Sequence, residues 1–193
     1  MSENIAQILD IGCGPESIAP VIYSHIEHMQ VTRLDGLAEN KPDVLHDITQ
    51  PLPEELLGAF DIVLASHVVE HVDRDQVNIV MRNIASAVRN HGEVMVIVPA
   101  MEWAAREILE GRENAGVQGA IFGGQQNPLD YHRCGFTLKS LRYMIELAGL
   151  IPRKAYQSPL TIEMYGHTTN ALQDIVIATR IDELSESKPE EET

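Results

Sequence analysis

The stretch ILDIGCGPES at residues 8–17 constrains the fold of this chain more than any other, because a short apolar run leads directly into two closely spaced glycines. The apolar run predicts a buried β-strand. Gly12 and Gly14 stand where that strand must turn, and the lack of a Cβ lets a ligand approach the backbone closely. The residues after the turn have helical spacing, with Ser17 as the expected N-cap. A strand, a glycine turn and a helix N-terminus form a nucleotide site in doubly wound α/β folds.

The residues of this turn distinguish two kinds of cofactor. The dinucleotide fingerprint requires a third glycine at the position of Ser17, so that fingerprint is broken. The turn begins instead with Asp10, two residues before the first glycine. Asp-x-Gly-x-Gly resembles motif I of the class I S-adenosylmethionine-dependent methyltransferases, here in a type 11/12-like form. The resemblance implies that Asp10 orients the methionine end of the cofactor, while Gly12, Cys13 and Gly14 lie against it.

Two further acids follow at the ends of predicted strands. Asp35 and Gly36 follow a strand at 31–34, and Asp35 lies 25 residues after the acid of the glycine turn. An acid at about that separation binds the ribose hydroxyls in nucleotide-binding α/β folds, although an aspartate after a strand can also be a simple turn residue. A third, two-residue strand precedes Asp47 and Ile48. The resemblance implies that Asp47 binds the adenine amino group and that Ile48 packs against the ring.

The order of strands and helices predicts a single α/β domain over residues 1–181, followed by an acidic disordered tail at 182–193. Strand-like and helix-like segments alternate, which predicts a doubly wound, mostly parallel sheet. Only about eight residues separate the second and third strands, too few for a crossover helix. The resemblance adds an antiparallel C-terminal hairpin and a total of seven strands. Further strands are expected at 60–65, 93–98, 153–157 and 174–179, and helices at 77–92, 101–113 and 138–150.

Residues 99–137 interrupt this alternation, and we expect the insert to form a substrate lid beyond the fifth strand. After its helix the insert is rich in glycine and predicted to be irregular, and the glycines would let it move. Near its end, Tyr131, His132 and Arg133 are predicted to face the transferred methyl group, with Tyr131 and His132 as candidate catalytic residues. A loop that only caps the next helix is the alternative interpretation.

His67, Glu70 and His71 spell H-x-x-E-H, the signature of inverted zinc proteases. The motif stands at a predicted strand–helix junction rather than within a long helix, which disfavours a peptidase. Some methyltransferases that act on catechol-like quinone precursors carry an acid, a glutamate and a histidine here as a metal site, but His67 replaces the first acid. We therefore predict no metal. Ser66 and His67 are expected to line the cofactor pocket, and His67 is also a candidate general base.

Charge and composition limit the partners of the chain. The formal net charge is −15, of which about −10 lies outside the acidic tail. Nucleic-acid binding depends on Lys and Arg, so the charge disfavours a nucleic acid and favours a small neutral or cationic acceptor. The sequence has no signal-peptide pattern, no apolar run near the ~20 residues of a membrane helix, and too few cysteines for a disulfide framework. We expect a cytoplasmic protein without a membrane partner, in which a homodimer could complete the substrate cover.

These observations favour the transfer of a methyl group from S-adenosylmethionine to an oxygen or nitrogen of a small-molecule acceptor. The transfer is an in-line displacement at a sulfonium, and positioning supplies much of its rate. Two alternatives stay open. One is a non-catalytic accessory or regulatory protein that binds S-adenosylmethionine, and the less favoured one is an NAD-dependent oxidoreductase.

Overall fold

The computed structural model of the protein describes residues 5–164 and 167–182, so the predicted acidic tail lies outside the described residues from residue 183 onward. The strands are β1 (Ala6–Ile11), β2 (Met29–Asp35), β3 (Val44–Leu45), β4 (Phe60–Ser66), β5 (Val88–Pro99), β6 (Leu150–Met164) and β7 (His167–Arg180). The α-helices are α1 (Ala19–Ile22), α2 (Val77–Ala87), α3 (Met101–Leu109), α4 (Ala115–Phe122) and α5 (Leu138–Leu147). All strands belong to one sheet with the order β3-β2-β1-β4-β5-β7-β6.

The sheet topology confirms the predicted fold class. Strands β1 to β5 pair in parallel, whereas β7 runs antiparallel to both β5 and β6. Between β2 and β3 the described chain forms only a short 3₁₀ turn at Ala38–Asn40, as the short predicted connection requires. Among the described helices, none is long and apolar enough to cross a membrane, and the longest, α2, has 11 residues.

Both faces of the central strands are buried, which explains their continuous apolar sequences. Helices α2 and α5 cover one face, and the segment between β1 and β2 covers the other. The first face is packed around Leu9, Val63, Ile84, Leu141 and Ile145. The second is packed around Ile8, Tyr23, Leu64 and Met95. This core holds the carboxyl ends of the parallel strands at one edge of the sheet.

The helix predicted after the glycine turn is much shorter than its sequence pattern indicates. Helix α1 contains four residues, and its N-cap is Ile18 rather than Ser17. The Ser17 hydroxyl instead donates a hydrogen bond to Asp10 Oδ2 at 2.6 Å, so it stabilises the turn. The helix ends at Tyr23, whose ring is buried and whose hydroxyl donates to Glu93 Oε1 at 3.1 Å. The burial of Tyr23 in the core therefore decides where the helix ends, although the apolar residues beyond it have helical spacing.

The insert is more regular than predicted, because residues 115–122 form helix α4. Asn114 caps this helix by accepting hydrogen bonds from the backbone N–H groups of Gly116 and Val117 at 2.8 and 3.2 Å. Val117 is fully buried against α3, and a Cβ at Gly116 would lie 3.0 Å from the Thr169 side chain on β7. The small residues thus allow close packing. The irregular parts of the insert are residues 110–114, because the helix predicted over 101–113 ends at Leu109, and residues 123–136.

The connection between α2 and β5 also differs from the prediction. Helix α2 ends at Ala87 instead of continuing to Gly92, and β5 follows without a loop. A bulge absorbs the extra residues, because Phe60 pairs with Val88 whereas Ile62 pairs with Glu93. The strand predicted from residue 93 is therefore the regular part of a longer strand.

Candidate active site

A cavity of about 900 Å³ lies at the carboxyl ends of β1, β2 and β4. In open α/β sheets this is the edge at which ligands bind. The turn after β1, the connections after β2 and β3, and the turn after β4 form its walls. The insert contributes Gln126, Asn127, Leu129, Asp130 and Arg133. The strand ends and the insert therefore line one cavity.

The glycine turn is held in a shape that other residues fit poorly. Gly12 and Gly14 have φ angles of 66° and 61°, in the left-handed region. The N–H groups of Gly12 and Cys13 both donate to Leu34 O, at 2.7 and 3.3 Å. A Cβ at Gly12 would overlap the Val68 side chain, whereas no described atom lies within 4 Å of a Cβ at Gly14. Gly12 thus permits close packing, and Gly14 leaves the backbone open towards the cavity.

Three residues predicted to contact the cofactor are not among the described residues that line the cavity: Asp10, Cys13 and Ser66. Asp10 is buried, and that burial raises the pKa of its carboxyl despite the hydrogen bond from Ser17. Cys13 is buried behind the turn, and its thiol donates to Gly14 O at 3.3 Å. In the described structure both side chains thus contact residues of the turn, Asp10 through Ser17 and Cys13 through Gly14.

Asp35 lies on the cavity wall at the end of β2 and is itself buried. Its Oδ2 accepts a hydrogen bond from the Gly14 N–H at 2.9 Å, and its Oδ1 accepts one from the Leu37 N–H at 2.8 Å. Oδ1 can accept a further hydrogen bond, and the second donor near Oδ2 is the Cys13 thiol at a distance of 4.0 Å, a long contact that a ligand hydroxyl could replace. Gly36 also lines the cavity, and a Cβ there would lie 3.8 Å from the Leu129 side chain of the insert. The carboxylate is thus fixed in position while keeping acceptor capacity for a ligand.

Asp47 and Ile48 line the cavity beyond β3. Asp47 is exposed, and its Oδ1 accepts hydrogen bonds from the backbone N–H and the hydroxyl of Thr49 at 2.9 and 2.8 Å. Ile48 is 9% exposed and joins the main core cluster. The pair therefore presents a carboxylate beside an apolar surface.

His67 lies at the end of β4 in the left-handed region, with a φ angle of 55°. Its Nδ1 lies 3.2 Å from Glu70 Oε1, and its Nε2 lies 3.1 Å from Gln173 Oε1. Burial alone would lower the pKa of His67, but the hydrogen bond and charge of Glu70 outweigh it and raise the pKa. His67 lines the cavity, so its ring is both oriented and accessible.

Gln173 was missed by sequence reasoning. It is 106 residues from His67, and no motif connects the two positions. They meet only because β7 inserts next to β5 in the sheet. A polar residue in a buried strand is the one feature of the sequence that marks it.

Glu70, His71 and His132 form a second cluster beside His67, with potential ligating atoms that all lie within 4.8 Å of one another. The Glu70 side chain is 1% exposed. Burial tends to raise its pKa, but His67, His71 and His132 together lower it. His132 does not belong to the described cavity lining, and burial lowers its pKa. Tyr131 is 45% exposed and is also absent from that lining.

The insert lines the cavity through residues other than Tyr131 and His132. Arg133 lines the cavity and forms an ion pair with Asp73 at 3.0 Å. The Arg133 N–H also donates to Glu70 O at 2.8 Å, and the Cys134 N–H donates to the same oxygen at 3.2 Å. Of the three residues predicted to face the methyl group, Arg133 alone is among the described lining residues.

Comparison with known proteins agrees with the geometry. A family model described as a methyltransferase domain matches residues 3–152. A search of curated protein sequences finds no significant match. The family match covers more than half of the chain, which therefore belongs to this methyltransferase domain family. With the sheet order, the match confirms the class I S-adenosylmethionine-dependent methyltransferase predicted from the glycine turn.

Solved structures share the fold at low sequence identity. A Methanosarcina mazei S-adenosylmethionine-dependent methyltransferase has a TM-score of 0.64 and 14% identity, with 93% of this chain and 94% of that chain covered. The 1,6-didemethyltoxoflavin-N1-methyltransferase of Burkholderia thailandensis has a TM-score of 0.59 and 15% identity, covering 93% and 72%. An O-methyltransferase from neocarzinostatin biosynthesis has a TM-score of 0.59 and 19% identity, covering 92% and 49%.

Proposed function

We propose that the protein transfers the methyl group of S-adenosylmethionine to an oxygen or nitrogen of a small-molecule acceptor. The observation that carries this proposal is the cavity itself. One wall holds Gly14, Asp35 and Asp47 at successive strand ends, and a second wall comes from the insert. The first wall fits a nucleoside cofactor, and the space between the walls fits an acceptor.

The cofactor is placed by the residues of the first wall. Asp35 would accept hydrogen bonds from the ribose hydroxyls, because its two oxygens are fixed by backbone N–H groups and retain acceptor capacity. Asp47 would accept from the adenine amino group, with Ile48 against the ring. The methionine end would lie along the backbone at Gly12 and Gly14. In this arrangement Asp10 acts through the turn that it stabilises.

The acceptor is proposed to be small because the cavity is bounded by the insert. The Burkholderia enzyme was solved with 1,6-didemethyltoxoflavin and the neocarzinostatin enzyme with 2-hydroxy-5-methyl naphthoic acid, both small ring compounds. The net charge of −15 opposes a polyanion such as a nucleic acid. A cytoplasmic location, and a homodimer that completes the cover, stay predictions.

The chemistry requires positioning first and a base only for an acceptor that is protonated at working pH. Among the three residues predicted to be catalytic, His67 is the one in the described cavity lining. Glu70 and Gln173 orient its ring from both sides. We therefore propose His67 as the base. Because its Nδ1 contacts Glu70 and its Nε2 contacts Gln173, an acceptor would have to displace Gln173 before the ring could take a proton. Tyr131 and His132 would support the insert.

Calorimetry with S-adenosylhomocysteine and with NAD tests which cofactor the protein binds. Asp35→Ala should weaken the binding of S-adenosylhomocysteine by about 1–3 kcal/mol, or roughly 5- to 150-fold, because hydrogen bonds to a charged group are lost. Asp75→Ala is the matched control, since Asp75 is exposed and outside the described cavity lining. Binding of NAD without S-adenosylhomocysteine would refute the proposal. Turnover of labelled cofactor with any acceptor would exclude the non-catalytic alternative.

A further inference from the structure

We propose that Glu70, His71 and His132 bind a divalent transition-metal ion, with Zn²⁺ as the best match to the ligands. The sequence predicts no metal, and its H-x-x-E-H motif would use His67. The structure selects a different set, because His67 uses both ring nitrogens for Glu70 and Gln173. His132 replaces it, from a segment that no motif connects to the other two residues.

The first argument is the state of the buried polar atoms. In the described part of the chain, Glu70 Oε2 and His71 Nδ1 are buried and have no hydrogen-bond partner. Glu70 is 1% exposed, so water does not readily replace the missing partner. An unpaired carboxylate oxygen in the interior is costly, and a bound cation would remove that cost. Two such atoms in one cluster of three residues mark a place that is built for a further group.

The second argument is the orientation of the ligands. His132 Nδ1 lies 3.1 Å from Ala120 O, so this nitrogen donates its proton and Nε2 remains available as a ligand. A metal-bound histidine typically donates its other ring N–H to such a carbonyl oxygen. Glu70 has the same arrangement, because its Oε1 contacts His67 and its Oε2 is free to bind in the described structure. The partners thus fix which atom of Glu70 and which atom of His132 remains available to bind an ion.

The third argument is the rigidity of the backbone around the cluster. Glu70 O accepts hydrogen bonds from the Arg133 and Cys134 N–H groups, at 2.8 and 3.2 Å, which fixes the insert next to the turn after β4. The His132 N–H donates to Phe122 O at 3.2 Å. The rings of His71 and His132 meet edge to face, with centroids 4.7 Å apart. Ligands from two distant segments are therefore held together before any ion binds.

The ligand types favour a transition metal over Mg²⁺ or Ca²⁺. Two imidazole nitrogens and one carboxylate oxygen suit Zn²⁺ and its neighbours, whereas Mg²⁺ and Ca²⁺ prefer oxygen ligands. Three protein ligands leave room for water or a substrate atom in a zinc site. His71 also lines the cavity, so a bound ion would border the space proposed for the acceptor.

Metal titration of the purified full chain, without S-adenosylmethionine, tests this site independently of methyl transfer. Calorimetry with Zn²⁺ should give one equivalent of binding, and Co²⁺ should give the visible absorption bands of a four- or five-coordinate site. Zn²⁺ binding should weaken at least about ten-fold in each of the variants His71→Ala, His132→Ala and Glu70→Gln. Removing a residue that only orients a metal ligand typically costs about that much, so removing a ligand should cost no less. His25→Ala is the matched control, because His25 is exposed and outside the cluster. Mg²⁺ should not compete with Zn²⁺.

Circular dichroism and urea unfolding without ligand show whether each variant is folded. If Glu70→Gln does not fold, the two histidine variants decide the question. Equal Zn²⁺ affinity of the wild type, His71→Ala and His132→Ala would overturn the proposal, as would an equal loss in His25→Ala. A wild type that binds no Zn²⁺ would overturn it as well.

Discussion

Gly12 and Gly14 adopt nearly the same backbone conformation but have different surroundings. Their φ angles are 66° and 61°, yet only the Cβ position of Gly12 meets a neighbour, the Val68 side chain. Substitutions at these two positions therefore measure backbone strain and overpacking separately within one turn. The strain arises from the left-handed conformation, which costs any L-residue with a Cβ.

We expect Gly14→Ala to lower the free energy of unfolding by about 1–2 kcal/mol, the cost of the left-handed conformation. Gly12→Ala should lose at least about 1 kcal/mol more, because its Cβ must displace Val68 in a packed site. Urea unfolding without ligand measures both values. Equal losses in the two variants would show that the Val68 side chain moves aside without cost.

At the level of elements, the prediction succeeded where burial on both faces dictates the sequence. The strands predicted at 60–65 and 93–98 contain the continuous apolar runs 62–65 and 94–98, and both lie in the parallel part of the sheet. It was wrong for short helices, whose existence depends on what they pack against. Helix α1 ends early because Tyr23 turns into the core, and α4 exists because small residues fit it against α3 and β7.

The cap of α4 provides a test of this dependence. Asn114 Oδ1 accepts hydrogen bonds from two backbone N–H groups of the helix and from the Thr169 hydroxyl at 3.2 Å. Asn114→Ala should therefore lower the free energy of unfolding by about 1–2 kcal/mol, as measured by urea unfolding.

Asn78→Ala is the control for this cap, because Asn78 is exposed within α2. It should change stability by less than about 0.5 kcal/mol. If Asn114→Ala were equally neutral, the packing of α4 against α3 and β7 would hold the helix without its cap.

At the scale of the whole molecule, the acidic residues that the structure describes are mostly on the surface, but four of their carboxyl groups are buried: Asp10, Asp35, Glu70 and Asp174. The first three lie at or beside the cavity. Asp174 lies on β7, outside the described cavity lining, and it has one partner, Gln157 Nε2, which donates to Oδ1 at 2.8 Å. Its Oδ2 has no hydrogen-bond partner among the described residues. Burial raises the pKa of this carboxyl.

Asp174 should therefore make stability depend on pH. A carboxyl with a raised folded-state pKa contributes most below its unfolded-state pKa, near 3.8, and that contribution is lost as the pH rises through the folded-state value. The free energy of unfolding of Asp174→Asn, relative to wild type, should increase from about pH 4 to pH 7. Denaturant unfolding at several pH values measures this, with exposed Asp75→Asn as the control for net charge. A pH-independent difference would contradict the interpretation.

The candidate site could be predicted only in part from the sequence, because several of its contacts join residues that are far apart along the chain. Asp35 and Asp47 follow strands whose order the sequence determines, so their place on one cavity wall could be predicted. The contacts of His67 with Gln173, and of Glu70 with His132, join segments that meet only in the folded sheet. No local pattern encodes them. Tyr131 and His132 were predicted to face the methyl group from their position in the sequence alone, and neither is among the described residues that line the cavity.

The hydrogen bonds from the Arg133 and Cys134 N–H groups to Glu70 O have a consequence for the diversification of this enzyme. Main-chain bonds do not depend on which side chains the residues carry. The insert therefore remains attached to the sheet when the side chains that line the cavity, at Gln126, Asn127 and Leu129, are exchanged. A library of substitutions at these three positions would alter the range of accepted substrates while leaving the scaffold intact, which makes this segment the natural starting point for redesign.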